Sequence, residues 1–254
     1  MKKKITFLFF INLFFICKIF ALPTFGHNLS PTTHSLKENQ VTFGSYLIGY
    51  GLTDHLLIAT SPWIYSNYNM SNLALKYTNS LNDRWNYVSQ TIYFKTFNGF
   101  SNRYKMESIM TSLGVSTQIS KDVEVTFNFN YMFYWDETLP FSLRRETLND
   151  QPYQYNFTAL FEFMPESDLG VLIELGALGI NYKYPQVISG FSVHYKMSHF
   201  LIQLGISITG TPKSYFNSTR YDYNQHKISK EFIDEESVKR DFSIHPEIQL
   251  QYFF

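Results

Sequence analysis

Apolar and polar residues alternate with period two along most of this chain. The run Ile244 to Phe254 is the clearest case. Its even positions (Ile244, Pro246, Ile248, Leu250, Tyr252, Phe254) are apolar, while His245, Glu247, Gln249 and Gln251 lie between them. In a strand these two sets point to opposite faces. Val123 to Tyr131, Tyr153 to Phe163 and Phe200 to Ile208 repeat the pattern. None of them has the three- and four-residue spacing of an amphipathic helix. The alternation predicts strands over 38–51, 55–66, 71–81, 85–97, 107–120, 123–135, 153–164, 169–182, 186–197, 200–211 and 243–254. So many strands in succession imply an antiparallel all-β protein.

A secreted β-sandwich also alternates, so the choice between sandwich and barrel rests on other features. The segments run to about 11–13 residues, whereas soluble strands average about 5–6 and tilted membrane strands need about 9–11. Aromatic residues crowd the strand ends, at Trp63 and Tyr65, Trp85 and Tyr87, Tyr131 to Trp135, Tyr153 and Tyr155, and Tyr182 and Tyr184. Amphipathic rings settle at the headgroup level of a membrane, so this placement reads as two interfacial girdles. The fold expected is an antiparallel transmembrane β-barrel.

Connection lengths orient it. Leu52 to Asp54, Asn82 to Arg84, Lys121-Asp122, Glu166 to Asp168 and Ser198-His199 are short and alternate with longer links. Outer-membrane barrels keep short turns on the periplasmic side and long loops outside. The long outer loops then fall near 136–152 and 212–241. Eleven strands are read directly, but closure with both termini on one side needs an even number. A rising strand at His27 to Leu36 would complete twelve, with ten as the next choice.

Met1 to Ala21 stands apart. Lys2, Lys3 and Lys4 precede a run rich in Phe, Leu and Ile that Asn12 and Lys18 interrupt. This fits a cleaved signal peptide, residues 1–21, better than an anchor of roughly 20 unbroken apolar residues. The remaining 22–254 form a single barrel domain. The whole chain has 21 basic and 21 acidic residues, but four Lys lie in the leader, leaving a mature chain with a net charge of −4. No polybasic nucleic-acid surface is expected. The only Cys, Cys17, also lies in the leader, so the mature chain has no thiol chemistry.

The terminus Ile248, Leu250, Tyr252, Phe254 resembles the C-terminal assembly signal of bacterial outer-membrane β-barrel proteins. That resemblance implies recognition by the barrel assembly machinery and residence in the outer membrane of a Gram-negative-type bacterium. Tyr50-Gly51-Leu52-Thr53-Asp54, with Asn72 to Tyr77 as a second match, resembles a turn in putative outer-membrane transporter families. It implies location rather than a solute.

With this register the lumen receives Lys76, Glu124, Glu162, Glu174, His194, Lys196, His245 and Glu247. A hairpin through Tyr182 to Pro185 would place Glu174 opposite His194, within hydrogen-bonding reach. Such charges either form a satisfied network or line a solute path. The sequence favours a narrow pore for small solutes in outer-membrane lipid. One alternative is a non-conducting structural or surface-interaction barrel acting through its outer loops. A membrane-embedded lipid hydrolase is the other, resting only on Ser192 near His194 and Ser198 beside His199. No enzyme activity is expected: Ser198 and His199, adjacent on a strand, face opposite sides, and a chance juxtaposition is the simpler account of Ser192 near His194. The seven His show no metal-ligand spacing and no cofactor fingerprint is present, so no metal or cofactor is expected.

Overall fold

The computed structural model describes residues 31–68, 70–96, 106–137, 153–181, 185–212, 219–222, 227–230 and 240–254. The strands are β1 (Val41–Gly44), β2 (Ile48–Gly51), β3 (Leu56–Thr60), β4 (Met70–Ser80), β5 (Trp85–Thr96), β6 (Met106–Ser120), β7 (Val123–Glu137), β8 (Tyr153–Phe163), β9 (Leu169–Leu178), β10 (Gln186–Met197), β11 (Phe200–Pro212), β12 (Thr219–Asp222), β13 (Lys227–Lys230) and β14 (Arg240–Phe253), with one helix, α1 (Pro62–Tyr68). Twelve of the strands close an antiparallel barrel, in which each pairs with its chain neighbour and β14 returns to β1; β12 and β13 form a separate two-stranded sheet. The expected leader, 1–21, lies outside the described residues, as do 138–152 and much of 212–241.

The period-two pattern is realised as two faces of one wall. Leu113, Phe127, Phe129, Phe157, Leu175, Phe191, Leu204, Ile248 and Leu250 are exposed on the outside. Ser112, Asn128, Thr158, Glu174, Ser192, Gln203 and Gln249 are buried on the inside. Such inside-out polarity suits a wall bathed in hydrocarbon, where closed pairing also satisfies the backbone. Ring contacts gather toward the two rims. Phe129, Tyr131, Tyr153 and Tyr155 cluster near the end bearing long connections, and His199, Phe200, Tyr252 and Phe254 near the short-turn end.

The strand number is twelve, but it arises differently from the sequence expectation. Residues 38–51 are not one strand; they fold back at Ser45 to Leu47 into the β1–β2 hairpin, with Val41 opposite Tyr50. His27 to Leu36 supplies no wall strand among its described residues, 31–36. Residues 55–66 also divide, because Ser61 and Pro62 start α1. Ser61 Oγ accepts the Ile64 N–H at 3.4 Å, and a proline at the first helical position needs no N–H partner. The β9–β10 register differs as well. Gln186 pairs with Leu178, which puts Glu174 opposite Gly190 and His194 opposite Gly170. The strand ends early because Gly179 adopts φ 64°. Asn181 then binds back to Tyr155 N–H and the Tyr153 carbonyl. The turn is therefore longer than three residues, and the expected Glu174–His194 pair does not form.

Candidate functional site: the lumen

Eight strands give a barrel interior that side chains alone can fill, and twelve leave room for more. Here the chain itself enters from both ends. At the short-turn end, Pro31 to Leu36 runs into the mouth. Leu36 is fully buried beside Leu57, Ala59, Leu201 and Phe253. His34 reaches the far wall, where its Nε2 lies 3.1 Å from Glu162 Oε2 and 4.0 Å from Glu124 Oε2. Thr33 Oγ1 donates to Glu124 Oε1 at 2.8 Å and lies 3.1 Å from Ser116 Oγ. Because β7 stands half-way round the ring from β1, this segment crosses the full width of the mouth.

Lys76 belongs to the same cluster, its Nζ donating to the His34 carbonyl at 2.5 Å. Glu124 and Glu162 are direct cross-strand partners in the β7–β8 register. Two facing carboxylates repel, so a cation between them is what makes the pairing tolerable. Burial disfavours charge on His34, yet the Glu162 and Glu124 carboxylates outweigh it and hold its pKa above the ordinary value.

The other expected lumenal residues are placed as follows. Lys196 Nζ donates to the Pro165 carbonyl in the β8–β9 turn at 2.5 Å. The His194 ring packs over Gly170, where a Cβ would stand 2.4 Å from its Cε1. Glu174 and Glu247 lie deeper, and Glu247 Oε1 accepts a short hydrogen bond from Ser207 Oγ. Both carboxylates act on Tyr46, in the β1–β2 turn, which with its burial raises the phenol's pKa. His245 faces inward by its pairing with Ser207 but is exposed. Ser192 and His194 share the inner face, and neither side chain forms a hydrogen bond among the described residues.

Toward the other end the lumen turns apolar. Ile64 of α1 packs on Ile92, Phe94, Met110 and Met132, all on the inner faces of β5 to β7, with Trp63 and Met70 alongside. Between the two plugs, Ser112, Asn128, Ser192, Gln203, Gln249 and Gln251 are buried, and polar atoms of each have no protein partner among the described residues.

Sequence reasoning missed His34, Thr33 and Tyr46. The available hint was Pro31 and the weak alternation of His27 to Leu36, which suit an irregular segment better than a wall strand. Of the expected assembly-signal residues, Ile248, Leu250 and Phe254 are exposed on the outer face, and Tyr252 meets Phe254 edge to face with ring centroids 4.6 Å apart.

A closed twelve-strand ring, apolar outside and polar inside, fits an outer-membrane β-barrel. No known family model matches the sequence, and no curated protein matches it. Among solved structures, a NanC porin determined in a rhombohedral crystal form is similar with a TM-score of 0.47 and 11% identity, over 84% of this chain and 96% of that one. That likeness is too distant to assign a solute or a mechanism.

Proposed function

We propose that the protein is an outer-membrane pore for small polar solutes, exported by its 1–21 leader and inserted through its aromatic C-terminal strand. The observation that carries this reading is the band of buried lumenal amides and hydroxyls between the two ends. Side chains of this kind offer hydrogen bonds to a passing polar solute, where a barrel serving only as structure could pack apolar ones instead. Charged residues at the inner mouth would then tune which solutes pass. The test is planar-bilayer recording of the purified protein. Discrete conductance that changes in Gln203→Leu is expected, and silence in both the intact chain and a variant lacking residues 31–35 would overturn it.

A second reading, a non-conducting barrel acting through its outer loops, draws support from the lumen's being crossed by Pro31 to Leu36 and narrowed by the α1 cluster. Solute-independent binding to cells or envelope polymers that disappears on trimming 136–152 or 212–241 would favour it.

A further inference from the structure

The segment across the inner mouth is held differently at its two ends. Its root is fastened by backbone. Asn39 N–H donates to the Gly51 carbonyl and Gly51 N–H to the Gln40 carbonyl, both at 2.9 Å, and Gln40 N–H closes a turn onto Lys37 at 3.0 Å. Side chains of the turn noted in the sequence add to this. The Tyr50 hydroxyl donates to Asn39 Oδ1 at 2.7 Å, and Asp54 Oδ1 accepts the Glu38 N–H at 3.0 Å. Gly51 is required there, since a Cβ would stand 2.0 Å from the Lys37 carbonyl oxygen. Asn39 takes the left-handed conformation, φ 63°, that reverses the chain. Tyr50, Gly51 and Asp54 thus have a structural task that their resemblance to a transporter-family turn does not supply. Leu36, wedged between walls, pins the segment just inside this root.

Beyond Leu36 the ties change character. His34 to Glu162 and Glu124, Thr33 to Glu124, and Lys76 to the His34 carbonyl are single side-chain contacts facing a polar lumen. Water can replace each of them, whereas it cannot replace the buried Leu36 contact without an apolar cost. We propose that Pro31 to Ser35 is a reversible plug, hinged between Leu36 and the Lys37–Gln40 turn, whose latch is His34 on the facing Glu162 and Glu124, and that its displacement opens the inner mouth. The proposal rests on the pore reading and names how that pore is regulated.

Ser116 reports the plug's position, being fully buried with Thr33 over it. In a chain whose sole Cys lies in the expected leader, Ser116→Cys should react slowly with a water-soluble maleimide, and about tenfold faster when His34→Ala is added. Thr33→Cys with Ser116→Cys, whose wild-type oxygens are 3.1 Å apart, should form a disulfide that lowers bilayer conductance at least tenfold until reduced. Labelling unchanged by His34→Ala, or equal currents from oxidised and reduced protein, would overturn the plug while leaving the pore reading intact. No current from either the intact chain or the variant lacking 31–35 would instead defeat the pore reading, and the labelling rates would still show whether the segment moves.

Discussion

The inner-mouth cluster makes a prediction about coupling that ordinary contact counting would miss. Glu124 and Glu162 face each other across β7 and β8, and His34 sits between them. Replacing His34 by Ala removes a hydrogen bond to a fully buried carboxylate, a contact worth about 1.5–3 kcal/mol. It also leaves two like charges facing each other without a cation between them. Glu124→Gln alone removes the charge-assisted character of the Thr33 contact and should cost about 1 kcal/mol. In the His34→Ala background the same change relieves repulsion, so its cost should vanish or reverse. The coupling energy should therefore be at least about 1 kcal/mol, against the roughly 0.5 kcal/mol scatter of independent sites. Urea titration of the vesicle-inserted protein, followed by Trp fluorescence, gives the four stabilities of the cycle. A double variant whose loss equals the sum of the singles within that scatter would refute the bridging role of His34.

The pKa of His34 is raised from 6.5 in surroundings that include Glu162, Glu124 and Lys76, with His194 and Lys196 further round the wall on β10. A raised cation keeps its ion pair below the ordinary value and loses it as pH climbs through the raised one. Labelling of Ser116→Cys, normalised to the His34→Ala background to remove the thiol's own titration, should accelerate as pH climbs beyond the ordinary histidine value of 6.5 and through the raised one; a flat ratio would count against the latch. Gly51→Val should free the plug's root, because its Cβ meets the Lys37 carbonyl, and so raise Ser116→Cys labelling with the β-sheet circular dichroism unchanged. Near the middle of β7, Phe129→Arg on the outer face should destabilise insertion by about 2–4 kcal/mol, whereas Asn128→Arg on the inner face should leave insertion near normal and alter conductance. Equal penalties for the two would contradict the assigned faces.

Alternation made the wall legible because period two is forced on any strand with lipid on one side and water on the other. The alternation of β7 and β8 matches their two faces, with Glu124 and Glu162 buried and Phe127 and Phe157 exposed. Turns were harder. Gly44 to Leu47 contains no Asn-Gly or Pro signal, so 38–51 reads as one strand where a hairpin stands. The Ser61-Pro62 pair did carry a helix-start signal, but the aromatic alternation around it masked that signal. His34 could not be found from periodicity, because its partners on β4, β7 and β8 lie 42, 91 and 128 positions away from the segment in sequence. Long-range convergence inside a lumen leaves no local trace.

The seam where the ring closes carries a mechanical consequence. β14 pairs with β11 over Phe200 to Pro212, but with β1 only through Thr42, Phe43 and Gly44. Four residues at about 3.3 Å each give β1 and β2 some 13 Å of wall, half the roughly 25 Å apolar band that a membrane barrel must present. This sector of the ring is lower than the rest. Pulled from its C-terminus, β14 would part from β1 first, unzipping three register pairs there against the thirteen it shares with β11.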